Sequence, residues 1–318
     1  MAINSWHSGL APRTVGLVAA LVTVLIWSGF IVVARASASH NLGPFDLALV
    51  RIVGAAVLLL PWGAWMVRRQ GLKGWLGLSP LPFRATALAG LFGGLLYAML
   101  AYAGFFYAPA AHASVLMPGS LPLWTTLLAL VLLAEPISRA RALGLVLIVA
   151  GDVAVGGASL LSAFAGGQVW KGDVLFMTAA FCWSVYSVLA RRWRLDAVQA
   201  TIAITVFAFV TYVPGYALLV ALGWAHSQLG VAPWGEIVFQ ALFQGWGSVV
   251  ISGITFMIMV HTFGPVRSTM LTAVVPGLSA LGAVVFLGEP LHWNLLLGLA
   301  LVTAGIVFGV RAAAVGKT

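Results

Sequence analysis

Aromatic and neutral polar side chains recur inside the long apolar stretches of this sequence, where they are the groups best suited to chemistry. A pocket of aromatic faces and uncharged hydrogen-bonding groups suits an amphipathic molecule of amino-acid size and binds a multiply charged one poorly. The candidates for lining such a pocket are Trp27, Ser28, Tyr97, Tyr102, His112, Ser114, Met117, Trp183, Tyr186, Ser187, Gln244, Trp246, Ser248 and Thr272, with Met270 and Ser279 as further members. For the serines and threonines, bonding between helices is the alternative role, and for the tryptophans it is core packing.

Ionisable side chains are rare in these apolar stretches, and each is a functional candidate because a charge is costly there. Arg51 could anchor its helix by pairing with Asp46, or it could recognise a carboxylate. His112 and His261 could titrate near neutral pH, or they could be satisfied hydrogen-bonding residues.

The acidic and cysteine residues exclude several kinds of site. Asp152 and Asp173 fall towards the ends of their apolar stretches, so we interpret both as interfacial and predict no carboxylate relay for protons at mid-depth. Cys182 is the single cysteine, which excludes a disulfide framework and a cysteine-rich metal site. The terminal Gly-Lys-Thr lacks the first glycine of a phosphate-binding loop, and no zinc-protease signature is present. The sequence therefore predicts no cofactor, no metal and no enzyme.

Prolines interrupt two of the apolar stretches near their middles. Pro122 and Pro276 do so once each, and Pro118 adds a second break beside Gly119. A proline frees the carbonyl four residues earlier and bends the helix. Such a carbonyl at membrane depth needs protein, water or a ligand as its partner. We therefore predict backbone exposed to a ligand at these breaks, with a packing kink as the alternative.

The elements that must position these residues are membrane helices. The chain of 318 residues is 62% hydrophobic and 7% charged, whereas a soluble domain is about 25% charged. A bilayer core about 30 Å thick takes roughly twenty apolar residues of helix. Stretches of that length lie near 15–35, 45–67, 84–107, 110–133, 139–158, 172–191, 198–222, 236–262, 267–287 and 292–311. The sequence predicts an all-α integral membrane protein with ten transmembrane helices.

The ten predicted helices divide into two copies of a five-helix unit, 1–158 and 159–318, within one membrane domain. GLVAALVTVLIWSGFIVVAR in the first copy aligns with GDVLFMTAAFCWSVYSVLAR in the second. The matched pairs are Trp27 with Trp183, Ser28 with Ser184, Arg35 with Arg191, Pro122 with Pro276, Glu135 with Glu289, Pro136 with Pro290, Gly144 with Gly298 and Gly151 with Gly305. Because each unit has an odd number of helices, the second must cross the membrane in the opposite sense. We predict two inverted-topology repeats around a central cavity.

Basic residues predict the orientation of these copies. With the N-terminus in the cytoplasm, every Lys and Arg except Arg35, Arg51 and Lys171 falls in a segment that faces the cytoplasm. The positive-inside rule favours that orientation, with both termini cytoplasmic. We predict a multi-pass protein of a bacterial-type cytoplasmic (inner) membrane. The basic residues form no single stripe, so the predicted partners are lipid and a small molecule, and no nucleic acid.

The repeated Glu-Pro pair marks the end of a helix in each copy. Pro136 and Pro290 lack the amide that would continue the helix. We expect Glu135 and Glu289 to accept hydrogen bonds from amides or basic groups, with proton carriage as the alternative.

Glycines spaced seven residues apart put small residues on one face of the fifth and tenth predicted helices. They are Gly144 and Gly151 in the first copy, and Gly298 and Gly305 in the second. Packing of these two helices within one chain and a homodimer formed through them are both open.

These motifs, in this order over nearly the whole chain, resemble the EamA-type transporters of the drug/metabolite transporter superfamily. The resemblance is carried by the Trp-Ser of the first helix, Arg51, PAAHASVLMPGSLPLWTTLLALVLLAEP and GPVRSTMLTAVVPGLSALGAVVFLGEP. It implies a basket of helices around a central cavity, lined mainly by helices 1, 3, 4, 6, 8 and 9.

Within that family the chain resembles bacterial exporters of aromatic and other neutral amino acids. The resemblance implies export of small amphipathic metabolites by alternating access between the two copies. Because no carboxylate relay is predicted, we expect this transport to be uncoupled or only weakly coupled to protons. A carrier for nucleosides or drug-like cations with proton antiport is the alternative.

Overall fold

The described part of the chain is built from helices that follow the predicted apolar stretches. The computed structural model describes the backbone of residues 11–272 and 274–315, and the side chains within those ranges except at 260–261, 264–270 and 309–315. The helices are α1 Pro12–Ser37, α2 Pro44–Gln70, α3 Phe83–Phe105, α4 Ala110–Leu133, α5 Arg139–Ala163, α6 Val169–Arg192, α7 Ala197–Ala221, α8 at 234–272, α9 Val275–Leu287 and α10 Trp293–Val315. No strand occurs within the described ranges.

The length and composition of the helices support an all-α membrane protein. Within the described ranges, 8 helices are long and apolar enough to cross a membrane, and they are α1 to α8. Two shorter apolar segments follow, Val275–Leu287 and Trp293–Phe308. The crossing of the membrane by all ten predicted helices therefore stays a prediction.

The boundary between α8 and α9 differs from the sequence prediction, which places a loop near 263–266. The backbone instead stays helical through Thr272, and Val274 forms a turn before α9. In the first copy, Pro109 in an extended conformation precedes the start of α4. The matched residue in the second copy is Phe263, whose amide and unrestricted φ allow the helix to continue.

Helices of each copy pack on helices of the other, and the contacts repeat. α1 packs against α8 and α9, and its counterpart α6 packs against α3 and α4. α2 packs against α8, and its counterpart α7 packs against α3. The equivalent helices α2 and α7 contact each other, as do α5 and α10. Two copies related by a pseudo-two-fold axis produce this exchange of contacts.

The glycine faces of α5 and α10 pack against each other within the chain. A Cβ at Gly305 would lie 2.5 Å from the carbonyl oxygen of Gly144, and one at Gly151 would lie 2.7 Å from that of Gly298. The missing side chains therefore let the two backbones approach closely. A homodimer formed through α5 and α10 would have to use their other faces.

Candidate functional site

In each copy a helix is interrupted just before a proline that the sequence predicts to break it. Ser120 and Val274 are matched in the repeat, and each forms a turn two residues before its proline, Pro122 or Pro276. The segment Val115–Gly119, which contains Pro118, is π-helical. Helix interruptions therefore occur beside the predicted prolines, and the exposure of backbone to a ligand there stays a prediction.

The third helix of each copy also departs from α-helical geometry. In α3 the segment Leu91–Leu96 is π-helical, and in α8 the segment Ala241–Ile251 is π-helical. These segments overlap when the two copies are aligned. Such π-helical turns are rare and recur at functional sites, because they widen the backbone ladder and redirect side chains.

Arg51 lies about two turns inside α2 and meets side chains from both copies. Its guanidinium donates to the hydroxyl of Ser248 in α8 over 3.0 Å and lies 5.3 Å from the centre of the Phe30 ring in α1. Phe30 packs edge-on against Tyr102 of α3. Among the side chains that the structure describes, no carboxylate pairs with this guanidinium. The group is therefore available to a carboxylate from a ligand.

The alternative pairing of Arg51 with Asp46 is absent because Asp46 has other partners. The buried Asp46 carboxylate accepts bonds from the hydroxyls of Tyr216 and Ser227 and from the amide of Gln228. These contacts fix the start of α2 to α7 and to the segment that follows it. Asp46 thus has a structural role that does not involve Arg51.

Three predicted pocket residues carry buried polar atoms with no hydrogen-bond partner in the described part of the chain. They are the hydroxyl of Ser28 and the side-chain amide of Gln244, from α1 and α8, and the hydroxyl of Tyr102 in α3, which lies beside the Arg51 guanidinium. Gln244 lies one turn before Ser248, the residue that binds Arg51. Folded proteins leave few such groups unpaired, and each calls for water or a ligand. These buried polar atoms come from helices of both copies.

The repeat-matched tryptophans make matched contacts. Trp27 donates from Nε1 to the Ser252 hydroxyl over 3.2 Å and stacks on Phe256, with ring centres 5.2 Å apart, both in α8. Trp183 packs against Tyr97 of α3, with ring centres 5.0 Å apart. Each tryptophan therefore joins the first helix of its copy to the third helix of the other copy.

Several predicted pocket residues are satisfied by the protein itself. Ser114 and Ser187 donate to carbonyls one turn earlier in their own helices, and Trp246 donates from Nε1 to the carbonyl of Gly54. Met117 is buried in the core. Their part in lining a pocket stays a prediction.

The last group of predicted residues has other contacts or falls outside the described side chains. Tyr186 packs edge-on against Trp183, Thr272 is half-buried at the end of α8, and the Ser279 hydroxyl bonds to its own helix. His261 and Met270 fall outside the described side chains. Two hollows on the described surface, beside Trp65 in α2 and between α9 and α10, contain none of the predicted pocket residues.

Glu289 closes one end of the helix bundle. Its carboxylate accepts from Arg35 Nε at 3.0 Å and from the amides of Ala110 and Ala111 at 3.1 and 3.3 Å. Arg35 also donates to the carbonyl of Phe105 over 2.6 Å. These bonds fix the end of α9 to α1, to the end of α3 and to the start of α4. We refer to this region as the Glu289 end.

The same contact is made a second time at the opposite end of α4. There both Nη atoms of Arg191 in α6 donate to Glu135, which follows α4, one of them over 3.2 Å. Arg191 matches Arg35 in the repeat, and Glu135 matches Glu289. The Arg35–Glu289 side chains are 32% and 13% exposed, and the Arg191–Glu135 side chains are 64% and 33% exposed. We refer to the second region as the Glu135 end.

His112 belongs to an interhelical cluster at the Glu289 end and has a protein partner. Its Nδ1 donates to Asp173 of α6 over 2.8 Å, and the Ser159 hydroxyl of α5 donates to the other oxygen of that carboxylate. His112 directly follows the two amides that bind Glu289. Asp173 is buried between three helices near the start of α6, which gives it a structural role at this end of the bundle.

Sequence reasoning missed three residues of the region around Arg51 and Trp27. Phe30 is one turn after Trp27, and Ser252 and Phe256 continue the face of α8 that carries Ser248. Helical spacing from the predicted residues was the available signal, but it does not show which face of a uniformly apolar helix is directed inward.

Comparisons with known proteins agree with the repeat and the helical architecture. The EamA-like transporter family matches residues 14–156 and again residues 170–311. An uncharacterized transporter of Archaeoglobus fulgidus is 31% identical over 191 residues, which are 60% of this chain and 62% of the relative. The uncharacterized transporter YyaM of Bacillus subtilis is 24% identical over 193 residues, 60% of this chain and 61% of the relative. The alignments thus span less than two thirds of these relatives.

A solved crystal structure resembles the chain over most of its length. It matches 95% of this chain and 99% of its own, with 24% sequence identity and a TM-score of 0.58. At that identity the likeness is one of fold alone.

Proposed function

The chain belongs to the EamA-like transporter family, and we propose that it exports small amphipathic metabolites that bear a carboxylate, above all neutral and aromatic amino acids. In this proposal all ten helices cross a bacterial-type inner membrane, and both termini are cytoplasmic. The solute binds between the two copies, near Arg51.

The unpaired guanidinium of Arg51 is the observation that carries the proposal. A cation inside a membrane helix is costly unless a partner compensates it, and the described partners are the Ser248 hydroxyl, the Phe30 ring and the neighbouring Tyr102 hydroxyl, none of them a carboxylate. A solute carboxylate would form the bidentate, charge-assisted pair that a guanidinium favours. The rings of Phe30 and Tyr102 would contact the apolar part of the solute, and the Gln244 amide would offer bonds to its amino group.

The two repeat-matched ion pairs support alternating access. Each pair joins the last turns of the first helix of one copy to the Glu-Pro segment of the other copy, and the two pairs lie at opposite ends of α4. Opening one pair while the other stays closed would expose the central region to one side of the membrane at a time. The turns at Ser120 and Val274 are the places where α4 and the α8–α9 junction can bend.

Ligand-induced thermal shifts test the proposed solute. Phenylalanine should stabilise the purified protein, because a ligand stabilises the state it binds, whereas phenylalaninamide and phenethylamine, which lack the carboxylate, should not. Arg51→Gln should abolish the shift. Arg69→Gln is the matched control, since Arg69 also lies over an aromatic ring but is exposed at the end of α2.

Two outcomes would count against the proposal. An unchanged phenylalanine shift in Arg51→Gln would remove Arg51 from the site. Stabilisation by nucleosides or drug-like cations, without any response to amino acids, would favour the alternative cargo.

A further inference from the structure

Asp152 is a buried carboxyl group with no hydrogen-bond partner in the described part of the chain. Its side chain is on the inner face of α5, the residue is 8% exposed, and both carboxylate oxygens are unpartnered. An ionised carboxylate without partners in an apolar interior carries a large desolvation cost, which a bound proton removes. The site thus has the chemistry of a proton acceptor.

The depth of Asp152 differs from the sequence interpretation. The prediction ends the helix at residue 158 and leaves Asp152 near its end, but α5 continues to Ala163. Asp152 is therefore close to the middle of a 25-residue helix. An ionisable residue at that depth is a functional candidate in its own right.

The next polar side chain after Asp152 along α5 belongs to the His112 cluster at the Glu289 end. Ser159 is seven residues later in α5, which places it about 10 Å further along on nearly the same face of the helix. Ser159 donates to Asp173, and Asp173 accepts from His112. Hydroxyl, carboxylate and imidazole groups are the side chains that pass protons.

We propose that Asp152 is a proton-binding site within the membrane and that solute export is exchanged for proton entry through it. This inference rests on the proposed transport function. In one arrangement an O–H bond forms on the Asp152 carboxylate with a proton that arrives from the Glu289 end. In the other arrangement that bond breaks, the proton passes to water on the far side, and the carboxylate remains ionised.

The titratable groups on the surrounding helices are few. α5 packs against α4, α6 and α10, and the described titratable side chains that are buried on these helices are His112, Asp173 and Cys182, while Lys171 and Tyr186 of α6 are half-buried. No Lys or Arg of the described side chains forms an ion pair with Asp152. The segment Val115–Gly119, the π-helical part of α4, also contacts α5. The helix that carries Asp152 thus packs directly on the helix break of α4.

Proteoliposomes that contain the full-length protein separate proton coupling from solute exchange. Labelled phenylalanine and an internal pH dye would report solute efflux and proton entry together. Asp152→Asn resembles the protonated form, so it should keep phenylalanine counterflow, which needs no net proton movement, and lose both gradient-driven efflux and proton entry. Asp196→Asn is the control, because Asp196 caps the start of α7 and asparagine caps equally well.

Gradient-driven efflux and proton entry that persist in Asp152→Asn would overturn the inference and leave the proposed function standing. Absence of counterflow in the wild type would instead refute the proposed function. Infrared spectroscopy of the wild-type protein tests the inference without a transport assay and without a variant that has to fold. The wild type at neutral pH should show the C=O band of a protonated carboxyl group, and its absence would overturn the inference.

Discussion

The two repeat-matched ion pairs should differ in strength, because their surroundings differ. Glu289 is 13% exposed and accepts from one guanidinium and two amides. Removing one partner of a buried, hydrogen-bonded ion pair costs about 3–5 kcal/mol. Because the Arg35 side chain is 32% exposed, water will compensate part of that loss. We therefore expect Glu289→Gln to lower the free energy of unfolding by about 2–3 kcal/mol.

Glu135→Gln is the matched variant in the other copy. Its pair with Arg191 has side chains 64% and 33% exposed, and exposed pairs contribute roughly 0.2–1 kcal/mol. Denaturation in mixed micelles, followed by tryptophan fluorescence, would measure both losses. Double-mutant cycles with Arg35→Gln and Arg191→Gln would isolate each coupling energy.

Equal losses for the two glutamates would refute this reasoning. A coupling energy near zero for Arg35 and Glu289 would do so as well, because it would mean that the buried carboxylate is stabilised by the amides alone.

Two further predictions concern the backbone. Gly151→Ala should destabilise the protein by about 1–3 kcal/mol, because its Cβ would lie 2.7 Å from the Gly298 carbonyl oxygen. Gly157→Ala would contact only its own helix and should raise stability by up to about 1 kcal/mol. Denaturation midpoints would compare the two, and a Gly151→Ala protein as stable as wild type would contradict the packing of α5 on α10. Ala134 ends α4 with φ of 54° where its repeat match Gly288 has φ of 66°, so Ala134→Gly should stabilise and Gly288→Ala destabilise, each by about 1 kcal/mol. Melting temperatures would check the second pair, and shifts of the same sign would contradict it.

The internal repeat could be predicted from the sequence, but the contacts between its two copies could not. Alignment of the copies makes Arg35 equivalent to Arg191 and Glu135 equivalent to Glu289. It does not show that each arginine pairs with the glutamate of the other copy, because that depends on α1 packing against α9 and α6 against α4. The sequence correctly predicted that both glutamates accept hydrogen bonds from amides or basic groups. It did not identify the residues that donate them.

The contacts of side chains within the apolar helices were the hardest feature to predict from the sequence. His112 has its partner 61 residues away, and no local spacing indicates such a pair. The sequence prediction ended α5 near residue 158, but the helix continues to Ala163 and the Ser159 hydroxyl bonds to Asp173. Because of that difference of a few residues, the sequence placed Asp152 near the end of its helix and not near the middle.

Distances at the two ends of the bundle test most directly whether the inverted copies give alternating access. Cys182 is the single cysteine, so Cys182→Ala provides a background for spin labels. One pair of exposed positions, Ser39→Cys with Leu291→Cys, reports on the Glu289 end, and another, Arg139→Cys with Arg192→Cys, reports on the Glu135 end. Addition of phenylalanine should lengthen one distance and shorten the other. Two distances that stay constant, or that change in the same direction, would contradict the account.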